Sequence, residues 1–161
     1  MKKRKAEGPG DDVKIVAQNK RARFDFSLED RFEAGLVLTG SEVKSLREGN
    51  VSLSDAYGLF RGDEIFLVNC HIGEYRAASV FGHGPLRDRK LLLNRREIEK
   101  LRGKVEQRGY TLVPLSIYFK EGWAKVEMAL ARGKTHEDRR DTIAERESKR
   151  EMDRALSRRR R

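Results

Sequence analysis

The chain has 161 residues, of which 37% are hydrophobic and 39% are charged, and it carries a formal net charge of +10. That balance allows one domain with extensions and excludes a core that uses the whole chain. No apolar run of about 18 residues occurs, which argues against a membrane span.

The distribution of charge is more informative than its total. Residues 1–23 carry eight Lys/Arg against three Asp/Glu, and residues 133–161 carry eleven against seven. The segment between is nearly neutral at +1. A neutral body with two basic arms points to a polyanion, nucleic acid above all. The basic N-terminus is followed by no apolar segment, so a secretory leader is not expected. The single Cys70 has no partner for an internal disulfide, which fits a reducing, cytoplasmic compartment.

Residues 1–12, MKKRKAEGPGDD, read as a disordered basic N-terminus. Residues 13–132 read as an ordered body and 133–161 as a basic C-terminal tail. Within the body, residues 33–39 (EAGLVLT) have strand composition. GSEVKSLREG follows as a short helix, with Ser41 as its N-cap and Gly49 as its stop. Val43 and Leu46 face the body, and Lys44 and Arg47 face outward. VSLSDAYGLF and IFLVNCHI flank a Gly-Asp turn and predict a hairpin. GHGP at 82–85 is loop. In LLLNRREIEKLRGKVEQRG, Ile98, Leu101 and Val105 share a helix face, Asn94 and Glu97 fit a capping pair, and Gly109 ends the helix. YTLVPLSIYF and WAKVEMALAR are the last strands, and Pro114 predicts a bulge or an edge. The expected fold is mainly β: a small antiparallel barrel of the oligonucleotide-binding type with short flanking helices.

The tail has only Ile143, Met152 and Leu156 as larger apolar residues, in no continuous stripe. It is rich in helix formers and pairs Glu145 with Lys149 at i, i+4. Such a segment is expected to be disordered when free and helical against a charged partner.

Catalytic chemistry is poorly represented. His71, His83 and His136 with one cysteine do not make a metal set, and no phosphate-cradling or nucleophile-elbow motif is present. No enzyme activity and no cofactor are expected. Binding signals are better. Lys20, Arg21 and Arg23 sit beside Phe24 and Phe26; Arg87, Arg89 and Lys90 precede a helix start, which favours phosphate.

These blocks carry a resemblance. NKRARFDF, FEAGLVLTGSEVKSLREGNVSLSDAY, PLRDRKLLLNRREI, GYTLVPLSIYF and ARGKTHEDRRDTIAERE, in this order, are similar to the SsrA-binding proteins, also called small protein B. The resemblance runs from about Val16 to Ala155. It implies a cytoplasmic RNA-binding adaptor that holds the tRNA-like domain of tmRNA and takes it to stalled ribosomes. There the tail would enter the vacant mRNA channel, near the decoding centre of the small subunit, and fold as a helix. Elongation factor Tu would take part indirectly, through the aminoacylated tmRNA. The family's RNA-binding positions fall on Glu33, Leu92 and Asn94, and its NKRA block on Asn19 to Ala22. Phe24 stands where the family commonly has histidine. In the tail, the resemblance implies ribosomal contacts by Lys134, His136, Arg139 and Arg140, and the run continues with Arg146, Lys149 and Arg150. The alternative expectation is a general ribosome-associated or single-strand RNA-binding barrel. A barrel nuclease is the alternative of another class.

Overall fold

The computed structural model describes residues 13–75, 83–134 and 136–159. The basic segment 1–12, residues 76–82, Thr135 and the terminal Arg160 and Arg161 lie outside the described residues.

In chain order the elements are β1 (Val13–Gln18), α1 (Ala22–Asp25), β2 (Phe26–Leu36), α2 (Gly40–Arg47), β3 (Val51–Ser52), β4 (Tyr57–Arg61) and β5 (Glu64–Val68). They continue with β6 (His71–Ile72), β7 (Arg89–Leu92), α3 (Arg95–Arg108), β8 (Thr111–Lys120), β9 (Trp123–Gly133) and α4 (His136–Arg159). Six strands close a ring in the order β8-β4-β5-β7-β2-β9, with β9 pairing back to β8, and every pairing is antiparallel. The expected barrel is therefore present, with one strand more than the five of an oligonucleotide-binding barrel. β1 lies outside the ring, on the C-terminal half of β8, while β4 takes the N-terminal half of the same edge. The short pair β3–β6 stands apart.

The period-two alternation of the strands builds the interior. Ala34 and Leu36 of β2, Ile65 and Leu67 of β5, Leu91 of β7, Leu112 and Ile117 of β8, and Val126, Met128 and Leu130 of β9 are buried in one cluster. α2 and α3 close it with Leu46 and Leu101, and Ile98 and Val105 pack against it. A second, small cluster of Ala22, Val113 and Ala131 seats α1 on the barrel. The N-cap of α2 is Thr39, not Ser41. Glu42 lies three residues after Thr39 and completes a capping box there, which places Ser41 inside the first turn. The Pro114 bulge is present, as a register shift between Pro114 and Ser116. β2 begins at Phe26, seven residues before the expected strand: residues 26–28 pair with β9, a bulge takes up Glu29 and Asp30, and pairing resumes at Arg31.

Candidate nucleic-acid interface

Three of the expected RNA-binding positions converge on the outer wall of the barrel. Because Ala34 and Leu36 point inward, Glu33 and Gly35 point outward on β2. Cross-strand pairing then aligns Tyr118, Lys125, Gly35 and Leu92 in one row over β8, β9, β2 and β7. The next row aligns Ser116, Glu127 and Glu33. Leu92 is 54% exposed although it is large and apolar. Gly35 makes room for it: a Cβ at that position would stand 3.2 Å from the Leu92 Cβ. Asn94, exposed two residues further on, is the N-cap of α3 and forms the expected capping box, its N–H donating to Glu97 at 3.3 Å.

Glu33 is held without being buried. The Tyr118 hydroxyl donates to its carboxylate, and the Lys120 ammonium lies 3.8 Å away. Burial raises the Tyr118 pKa, and the hydrogen bond to the Glu33 carboxylate raises it further, so the phenol stays a donor. A half-exposed carboxylate fixed in this way can accept from a base amino group or a ribose hydroxyl.

The cations are more scattered. Lys20, Arg21 and Arg23 are exposed on the turn into α1, with Arg21 4.0 Å from Asp25. Asn19 does not share their exposure. Its amide donates to the carbonyls of Leu53 and Pro114, so it fastens the turn that displays the cations. Lys44 and Arg47 face outward as expected, over the rings of Tyr75 and Phe119. Lys90 pairs with Glu64 at 2.8 Å on the surface.

Arg89 is a correction. Its side chain is fully buried and cannot reach a phosphate. It donates to Glu42 through Nε and to the Cys70 carbonyl at 2.5 Å through Nη1. Both guanidinium ends also reach the Pro85 carbonyl. Arg87, half-exposed, binds the other oxygen of Glu42. Beside them the His83 Nε2–H donates to the Ile72 carbonyl at 3.0 Å, and the Ser41 hydroxyl meets Nδ1 at 2.9 Å. Burial by itself would raise the Glu42 pKa. The hydrogen bonds from Arg87, Arg89 and the Thr39 N–H outweigh it and hold the carboxyl below its ordinary range. This network bolts α2 to β7 and so positions the strand that presents Leu92. The sequence carried a signal for it: Thr39 to Glu42 reads T-x-x-E, and Arg89 alternates with Leu91 on the inward face. Cys70 sits against the network, its pKa pushed up to about 11 by burial, which makes it an inert thiol.

The tail continues from β9 as a 24-residue helix. Its start is tied to α1: the Lys134 N–H donates to the Asp25 carbonyl, and the Lys134 ammonium to the Arg23 carbonyl and the Thr142 hydroxyl. Arg146 lies over the Phe24 ring, 5.7 Å from its centre. Arg139 is half-buried in a groove with Arg21, Asp25, Asp55 and Tyr57. Arg140, Arg146, Lys149 and Arg150 are exposed, and so are Ile143, Met152 and Leu156. The side chain of His136 lies outside the described residues. Among the described residues no group of His, Cys, Asp and Glu is arranged for a metal, and no helix is long and apolar enough to cross a membrane.

The model of the SmpB protein family matches residues 16–158, the barrel and nearly all of the tail helix. The chain belongs to the SmpB family. It is 75% identical over 148 residues to the SsrA-binding protein of Anaeromyxobacter sp. (strain Fw109-5), covering 92% of this chain and 90% of that relative. It is 59% identical to the SsrA-binding protein of Myxococcus xanthus (strain DK1622), covering 96% and 97% of the two chains. A solved structure described as "tmRNA-SmpB: a journey to the center of the bacterial ribosome" aligns with 45% identity and a TM-score of 0.64, over 79% of this chain and 93% of that one. Membership thus extends over both the barrel face and the tail.

Proposed function

We propose that this protein is an RNA-binding adaptor of trans-translation with two separable parts. The barrel, residues 13–132, holds the tRNA-like domain of tmRNA through the face of Glu33, Leu92 and Asn94. Lys20, Arg21, Arg23, Lys44, Arg47 and Lys90 add phosphate contacts around it. The tail, residues 133–161, is helical over His136–Arg159 in this structure, but only its first turns meet the barrel, so on its own the remainder does not hold that helix. It becomes helical in the empty mRNA channel of a stalled ribosome, where Lys134, His136, Arg139, Arg140, Arg146, Lys149 and Arg150 face ribosomal RNA. Elongation factor Tu acts only through the aminoacylated tmRNA, and the protein performs no chemistry itself, in the cytoplasm where ribosomes work.

The observation that carries this reading is the family match, which spans barrel and tail without a break. The geometry supports it: an exposed leucine beside a fixed carboxylate suits a base edge or a sugar better than a phosphate. The test is binding to the tRNA-like domain with ordinary tRNA as competitor. Selective binding that survives the competitor is expected. Equal affinity for unrelated RNAs would favour a general single-strand-binding barrel instead.

A further inference from the structure

The chain has one tryptophan, and it is 72% exposed. Trp123 follows a two-residue turn, Glu121 and Gly122, whose φ angles of 52° and 80° are both left-handed. That turn type matches the twist of the flanking strands, so the hairpin tip has a defined geometry. Trp123 pairs with Lys120 across the turn. Both residues follow the same alternation as Lys125 and Tyr118, so both lie on the outer wall that carries Glu33 and Leu92.

The neighbours give this ring a charge environment. The Lys120 ammonium stands 3.8 Å from Glu33, and Lys125 lies two residues further along the strand on the same side. Six other rings carry a Lys or Arg over one face: Phe24, Phe60, Phe66, Tyr75, Tyr110 and Phe119. Among the described residues no cation covers Trp123 in this way. A large exposed ring flanked by lysines, on the wall that already holds a carboxylate acceptor, has the make-up of a stacking platform for nucleic acid. Strand geometry sets its reach. Trp123 is two strand spacings and two residues from Leu92, about 12 Å between the backbones.

We infer that Trp123 stacks on an unpaired base of the bound RNA and extends the Glu33–Leu92 site to the β8–β9 turn. This rests on the RNA-binding reading above and deepens it. Lys125, with Lys120 turning from Glu33, neutralises the phosphates on either side of that base, and Glu33, still held by the Tyr118 hydroxyl, keeps its other oxygen for a polar edge of a neighbouring nucleotide.

The experiment titrates the intact protein with the tRNA-like-domain RNA and follows the emission of Trp123, the sole tryptophan. In parallel, labelled RNA gives the affinities of the W123A and W123F variants, with far-ultraviolet circular dichroism to confirm the fold. Quenching on binding is expected, with W123A weakened about five- to a hundredfold and W123F close to the parent. Tight binding with unchanged emission and an unaffected W123A would overturn the inference and leave the RNA-binding reading intact. W123A that binds RNA normally but loses ribosome association would also overturn it, since the ring would then meet a different partner. Failure of the intact protein to bind the RNA would overturn both readings together.

Discussion

Replacing Glu42 by alanine should be among the most damaging single changes in the barrel. Glu42 and Arg89 are both fully buried, and among the described residues no other carboxylate meets Arg89. The guanidinium would keep its carbonyl partners at Cys70 and Pro85 but lose its only counter-charge. Leaving a buried cation unpaired costs about 3–5 kcal/mol. With a urea m-value of about 2 kcal/mol/M, the unfolding midpoint should fall by roughly 2 M. The double variant E42M/R89M should recover most of that loss, because two well-packed apolar side chains carry no charge to strand. E42Q separates charge from shape. The folded pKa of Glu42 is depressed, so its contribution is fully present above its ordinary value of 4.5 and is lost as pH falls through the folded value. E42Q should therefore flatten the acid limb of the stability–pH curve as well as lower its plateau. The assay is urea denaturation of the four proteins between pH 3 and 7. A loss below about 1 kcal/mol for E42A, or a double variant no more stable than E42A, would refute the buried-pair argument.

Other changes probe the site and the scaffold. Asn94→Ala should weaken tmRNA binding while the protein stays folded, with a capping loss of about 1 kcal/mol by denaturation; unfolding of the variant would reduce Asn94 to a cap. Gly58→Ala should destabilise the barrel by about 1–3 kcal/mol, since the new Cβ would come within 2.8 Å of the Leu112 Cβ where β4 crosses β8; an unchanged thermal midpoint would contradict that packing. A peptide of residues 133–161 should show little helix by circular dichroism at low concentration, because Met152 and Leu156 have nothing to pack on. Stable helicity in isolation would mean that the tail is preformed.

Local rules read well where one residue's conformation decides. Asn94 with Glu97 gave the start of α3, Pro114 the bulge in β8, and Gly62-Asp63 the hairpin of β4 and β5. The same rules failed where two distant segments share a buried charge. Arg87, Arg89 and Lys90 look alike in the sequence, yet only the alternation with Leu91 turns Arg89 inward, and only Glu42, 47 positions away, makes that burial tolerable. The start of β2 was hidden for a related reason. Its first residues alternate poorly because a bulge interrupts the pairing, so strand composition becomes visible only at Glu33. Of the site, the resemblance supplied Glu33 and Leu92. Their meeting on one wall follows from register, which hydropathy does not encode.

The most direct test of the two-part account compares the full-length protein with one truncated before Gly133. Both would be measured for binding to the tRNA-like domain across a salt series and for tagging on ribosomes stalled without a stop codon. The account predicts a change in Kd of less than tenfold, about 1.4 kcal/mol, together with complete loss of tagging. A larger loss of affinity on truncation would contradict it and place RNA recognition in the basic tail.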